Sequence, residues 1–517
     1  MKKTLLTLLS IITIQVVYAQ EYQYTVDLNN IKDDKLSVTL EPPKQTEKQV
    51  IFSLPKIIPG TYSISDYGAF VSDVQAFNEK GKLLPVVRID TNRWEIKKAK
   101  GLAKITYTVE DIFDTEQQHE IYPMAATNFE EKNIVINSPG IFGFLDQQNK
   151  LPFEITFSKP AHFYASTSAV PIKSDGTNDV FRLKDLNELY ETPIMYGVAD
   201  TSTVKVGNCD VLVSVYSPNH LIQAKEIAGW LSDLLQGARR YLGGKLPANR
   251  YAFLYYFKDP QIPQSFKPGL GGALEHPTSS FYYLPEAPAE KLKDLIVDVS
   301  SHEFFHIITP LTIASKEVKE FNFHEVVLSK HLWLYEGTTE YTAHHVQVKN
   351  GLNTEQQFLD KLADKIRRSR GQYNDTLSFT KLSEYAATTY ADQYGNVYQK
   401  GALIAACLDL YLLHLSEGGY GLKNLTHDLG IRFGKDHYFN DDELFDEIEK
   451  LSYPEVKQFL IQYVQGTSPI PYEDYFGLAG IKYQPSAEKM LVPDDQADGS
   501  TLFIRRIWLD SEAGMND

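Results

Sequence analysis

Apolar and polar positions alternate with period two from residue 20 to about residue 200 and recur at helical spacing after about residue 350. The chain therefore reads as β-rich first and helical last. In the early part, the runs 49–54, 103–109 and 153–157 alternate, and Pro59-Gly60, Gly81 and Asp175-Gly176 mark turns between such runs. This spacing predicts a sandwich-like all-β domain. From about residue 201 the elements mix. Runs 211–216, 250–257 and 279–284 read as strands, and a helix from about 220 to 242 is closed by Gly243-Gly244. An apolar helix follows around 294–308. Thr309-Pro310 ends it, because proline disfavours helix in the residue before it. Phe358, Leu359, Leu362 and Ile366 recur at helical spacing, and 402–415 is a long apolar helix. Beyond 470, the run 475–480 reads as a loop and 501–508 as a strand. The whole is a multidomain α+β chain, with boundaries expected at 1–19, 20–200, 201–350, 351–470 and 471–517.

Length and composition narrow the class. At 517 residues, 43% hydrophobic and 23% charged, the chain is a folded protein of several domains. A net charge of −16 argues against nucleic-acid partners, since little here would displace counterions from phosphates. Two cysteines make no disulfide scaffold, and Cys407, in an apolar helical run, reads as a buried thiol. Lys2-Lys3, the apolar stretch 5–17 and Val17-Tyr18-Ala19 form a signal peptide with a cut before Gln20. No later apolar run is long enough to span a membrane, so an exported bacterial protein, periplasmic or secreted, is expected. Oligomeric state is not legible.

The chemistry gathers around residues 300–308, which carry H-E-x-x-H. Residues four apart share a helix face, so His302 and His306 can hold one metal ion, with Glu303 beside them to take a proton from a metal-bound water. The alternative is a pair of core histidines with a solvent-facing Glu. Glu336, on a following helix, supplies the third ligand. Two His and one Glu leave a fourth tetrahedral position open, the arrangement of a single catalytic zinc. Glu340, one turn on, either accepts the outer N–H of a zinc histidine or is a solvated helix carboxylate. His344 and His345 read as surface histidines. Upstream, Gly271-Gly272-Ala273 lacks bulk and would let an extended substrate approach a strand edge. Glu275 then places a carboxylate where it can hold a peptide's free α-amino group one residue from the cut. The alternative is a tight turn with a solvated Glu275. The segment 54–62 reads as a rigid interstrand turn rather than a loop reaching the site.

Together these residues resemble the glycyl aminopeptidase family of zinc metallopeptidases, a gluzincin type, over nearly the whole mature chain. The resemblance implies an N-terminal β domain carrying Pro55-x-x-x-Pro59-Gly60-x-Tyr62, a thermolysin-like catalytic domain, a helical lobe and a PDZ domain. It implies zinc on His302, His306 and Glu336 with Glu303 as base. It also implies substrate contacts from Gly271, Gly272, Ala273, Glu275 and His276, and an oxyanion donor at Tyr398, which precedes Lys400-Gly401. Two departures stand out: one extra residue lies between the glycines and Glu275, and His276 takes the place of an Asn in the broader box. The run 510–515 looks like the middle of a PDZ domain, cut off. The implied activity is removal of small N-terminal residues, glycine or alanine, from peptides with a free N-terminus. The rivals are a thermolysin-like endopeptidase and a non-catalytic peptide-binding gluzincin–PDZ protein.

Overall fold

A computed structural model describes residues 20–262, 266, 271–434 and 437–510. The expected signal peptide, the start of the Gly-rich segment at 268–270 and the end of the PDZ-like run at 511–515 lie outside the described residues. In Tyr22–Asp27 the side chains of Tyr22, Tyr24 and Val26 are buried and the alternate ones face out, which is the signature of a one-sided strand. That strand runs parallel to Phe153–Ser158 and antiparallel to Lys35–Glu41 inside an eight-stranded sheet. Two four-stranded sheets, one containing Gln49–Ser53 and the other Asn133–Ile136, complete the N-terminal β-rich region.

Arg250–Lys258 is buried almost throughout rather than on alternate positions. It is the central strand of a five-stranded sheet, flanked by the parallel strands Cys209–Tyr216 and Ser279–Pro285. Phe253, Tyr255 and Phe257 share a core with the helices Ala224–Tyr241 and Ala289–Phe305. Ala252, Leu254 and Tyr256, pointing the other way, join the core of the N-terminal β region. A strand covered on both faces becomes a continuous apolar run. Gly272–His276 pairs antiparallel with Ser279–Pro285 at the sheet edge.

The C-terminal part is helical and built around Asn396–Leu415, whose residues Lys400 to Leu410 are buried without a break. Cys407 sits in this helix and Cys209 in the sheet, both as buried free thiols. Two expectations are corrected here. Residues 475–480 do not form a plain loop, since Tyr472–Gly477 is a helix. Residues 501–508 are not a strand but most of the helix Gly499–Leu509, opened by the Asp498 carboxylate accepting from the amides of Ser500 and Thr501. β-branched and aromatic residues favour strands locally, but Ile504 and Trp508, one turn apart, are buried in the helical core. Tyr472, Phe476, Ile481, Leu491, Ile504 and Trp508 are buried in the same core as the long helix of the helical lobe.

Candidate active site

The helix Ala289–Phe305 is wedged between the sheet and the helix Thr338–Lys349, and small residues allow the close fit. The Ser300 and Tyr255 hydroxyls are hydrogen-bonded at 2.6 Å, and the Ser301 hydroxyl donates to the Ala343 carbonyl at 2.9 Å. One turn of this helix brings the Nε2 atoms of His302 and His306 within 3.0 Å of each other. Glu336 Oε2 lies 3.4 Å from the first and 3.5 Å from the second. The outer face of each ring is engaged. His302 Nδ1 meets Glu340 Oε2 at 2.6 Å, and His306 Nδ1 meets the Thr309 carbonyl at 2.9 Å. A carbonyl only accepts, so His306 Nδ1 carries the proton and a neutral ring keeps its Nε2 lone pair for the centre. Two imidazole nitrogens and a carboxylate oxygen converge on one buried point, a donor set that fits zinc.

The electrostatics agree with a cation there. Burial opposes charge on His306, but the Glu336 and Glu275 carboxylates outweigh it and push the group up to about 9, so the carboxylates favour a positive charge here, which a bound cation would supply in place of the ring's second proton. Burial likewise opposes ionisation of Glu336, yet His306 and His302 hold it well below the usual carboxylate range. Glu303 is buried, which pushes its carboxyl up to about 7, and its Oε2 has no hydrogen-bond partner among the described residues. Glu275, Glu303 and His306 offer atoms within 4.8 Å of one another, so the edge-strand carboxylate stands beside the metal helix.

Glu336 belongs to a π-helical turn, Trp333–Gly337, that leads into Thr338–Lys349. Such wide turns are frequent at functional sites. The turn is packed directly on the long helix of the C-terminal lobe. A Cβ on Gly337 would lie 2.4 Å from the Gly401 carbonyl carbon, and one on Gly401 would lie 2.8 Å from the Gly337 Cα. This backbone-to-backbone crossing sets Tyr398, one turn before Gly401, beside the centre, with its ring 5.6 Å from that of His302. The Tyr398 hydroxyl shares a 2.7 Å hydrogen bond with the Tyr394 hydroxyl. Glu340 is not a solvated carboxylate. Besides His302 it bonds Lys365 Nζ at 2.5 Å and His344 Nε2 at 3.2 Å.

Several expectations change. His344 and His345 are buried, not surface histidines. His345 Nε2 lies 2.7 Å from the Trp508 carbonyl, tying the last helix to the one that follows Glu336. His276 is not grouped with the residues converging on the metal point. Successive strand side chains leave opposite faces, and its Nδ1 is bonded at 2.6 Å to Glu191 of the β-rich region. Gly271, Gly272 and Ala273 lie on or beside the edge strand, and Met124 of the β-rich region approaches so closely that a Cβ on Gly272 would meet its methyl at 2.6 Å. The segment 54–62 does reach the site. The Tyr62 hydroxyl donates to Glu336 Oε1 at 2.9 Å, and its ring lies 5.5 Å from that of Tyr394. Tyr62, Tyr394 and Lys365 are the neighbours of the centre that sequence reasoning passed over. The only signal for Tyr62 was the Pro-Gly-x-Tyr pattern.

Two family models match the chain: the Peptidase M61 N-terminal domain over residues 23–198 and the M61 glycyl aminopeptidase over residues 296–404, together more than half its length. No curated protein matches it. Among solved structures, it is similar to an aminopeptidase N family protein from Idiomarina loihiensis, with a TM-score of 0.77 at 20% identity over 90% of this chain and 79% of that one. It is also similar to a point mutant of an M1 zinc metallopeptidase from Deinococcus radiodurans bound to a Tyr-Ser-Ala substrate, with a TM-score of 0.53 at 14% identity over 88% of this chain and 95% of that one. At such identities the likeness is one of fold.

Proposed function

This chain belongs to the M61 glycyl aminopeptidase family, and from that premise we propose that it is a zinc-dependent aminopeptidase removing small N-terminal residues, glycine or alanine, from peptides. The observation that carries the reading is the Glu275 carboxylate within 4.8 Å of Glu303 and His306. A carboxylate so near the reacting centre binds a positively charged α-amino group and confines cleavage to the first peptide bond. His302, His306 and Glu336 would hold the zinc, which would supply Lewis acidity to a water and to the scissile carbonyl. Glu303, buried beside His302 and His306 with its Oε2 unpartnered among the described residues, takes the proton of the attacking water and hands it to the leaving amine. Tyr398 donates its hydroxyl to the developing oxyanion. Gly271, Gly272 and Ala273 offer the edge along which the substrate backbone lies. Glu340 orients His302 through its Nδ1.

The proposed location is outside the cytoplasm, on the strength of the N-terminal leader. No helix among the described residues is long and apolar enough to cross a membrane. The test is hydrolysis of glycyl- and alanyl-p-nitroanilide beside their N-acetylated forms, with and without a zinc chelator. Chelator-sensitive cleavage of the free-amine substrates alone is the expected result. Cleavage of the blocked forms makes the protein an endopeptidase, and zinc binding without cleavage makes it a peptide-binding protein.

A further inference from the structure

The loop 56–66 of the β-rich region is closed at its base by its own backbone. The amides of Ser65 and Asp66 donate to the Lys56 carbonyl at 2.8 and 2.9 Å, and the Lys56 amide donates to the Phe323 carbonyl at 2.8 Å. The last bond fastens the loop to the chain between the metal helix and Glu336. A loop so anchored presents its tip, Gly60 to Tyr62, as one stiff piece. Both ends of the tip touch carboxylates of the centre. Gly60, at φ +78°, lies on the edge strand so closely that a Cβ there would meet Leu274 Cδ1 at 2.7 Å and each Glu275 carboxylate oxygen at 2.9 Å. Tyr62 donates to Glu336 Oε1 at 2.9 Å. Because that oxygen is engaged, Glu336 turns its other oxygen, Oε2, toward the two histidines.

We propose that this loop is a gauge for the active site: Tyr62 positions the metal-binding carboxylate, Gly60 positions the amine-binding one, and their spacing sets where the first residue of a substrate sits relative to the metal. The inference rests on the roles given above to Glu336 and Glu275. Tyr62 and Gly60 are positioning residues, since they act through those two carboxylates. A carboxylate freed of its outer hydrogen bond rotates, and loss of such partners typically weakens metal binding by about 10- to 100-fold. The N-terminal region would then be part of the metal site and not only a wall beside it.

Tyr62→Phe is the deciding variant, because it removes the hydroxyl and leaves the ring in place. In the full-length protein, the zinc dissociation constant is measured by competition with a chromogenic chelator, and the melting temperature of the metal-free protein is measured alongside. The expected result is zinc binding weakened by about 10-fold or more with an unchanged metal-free melting temperature. Gly60→Ala is expected to raise the KM for glycyl-p-nitroanilide by about 10-fold as Glu275 is displaced, with zinc affinity lowered no more than in Tyr62→Phe. Wild-type zinc affinity in Tyr62→Phe beside a large loss in Glu336→Ala overturns the gauge and leaves the metal site standing. Wild-type affinity in both overturns the metal assignment and the gauge with it. Weakened zinc binding matched by a lowered metal-free melting temperature makes Tyr62 a packing residue only, and overturns the proposal.

Discussion

His302 and Glu340 touch across 38 positions of the chain, whereas Tyr62 and Glu336 touch across 274. The first pair belongs to the floor of the site, made by one helix, one π-helical turn and the helix that follows. The second belongs to a roof lent by another region. The floor is built from helical periodicity, so its residues recur at short, readable intervals. The roof is built by packing one face of the five-stranded sheet against the β-rich region, and no interval in the sequence announces it. Floor residues should therefore govern the chemical step, and residues at the seams should govern stability and alignment.

That division is open to direct attack. Glu303→Gln on the floor should lower kcat by about 1000-fold or more while zinc content stays at the wild-type level. An active variant would remove the base from the floor and break the contrast. Tyr398→Phe, at the junction of floor and helical lobe, should lower kcat by about 100-fold with zinc content unchanged. An unaltered kcat would pass the donor role to a neighbour such as Tyr394, whose hydroxyl is 2.7 Å away. Gly337→Ala tests the backbone crossing that brings Tyr398 in. With a Cβ placed 2.4 Å from Gly401, it should cost about 1–3 kcal/mol in chemical denaturation, and a neutral result would mean that the crossing is soft. His276→Gln removes a contact between the edge strand and Glu191, and its main effect should be a loss of about 1 kcal/mol in stability. A large rise in KM there would return His276 to the substrate.

Some parts of the molecule were legible for definite reasons. Strand alternation such as that of Tyr22–Asp27, the apolar run of Arg250–Lys258 and the glycines that close Ala224–Tyr241 are local features with local causes. The convergence of His302, His306 and Glu336 was equally readable, because a helix turn sets the first two and ligand chemistry asks for the third. The helix Gly499–Leu509 was misread since its residues favour a strand until Trp508 finds the Tyr341 hydroxyl at 2.7 Å. His344 and His345 were misread because a histidine looks the same on a surface as in a buried network, and Lys365, Asp298 and Trp508 come from elsewhere in the chain.

Periodicity, spacing and residue chemistry alone thus specify a β-rich region, a helix that sets His302 and His306 on one face with Glu303 beside them, and a helical lobe, since each depends on neighbours a few residues away. The approach of Gly60 to Glu275, the Tyr62 bond to Glu336, the crossing of Gly337 with Gly401 and the turn of His276 toward Glu191 arise only when the regions pack. Each is a contact between residues far apart in the chain, and its energy exists only after the elements that carry them have packed.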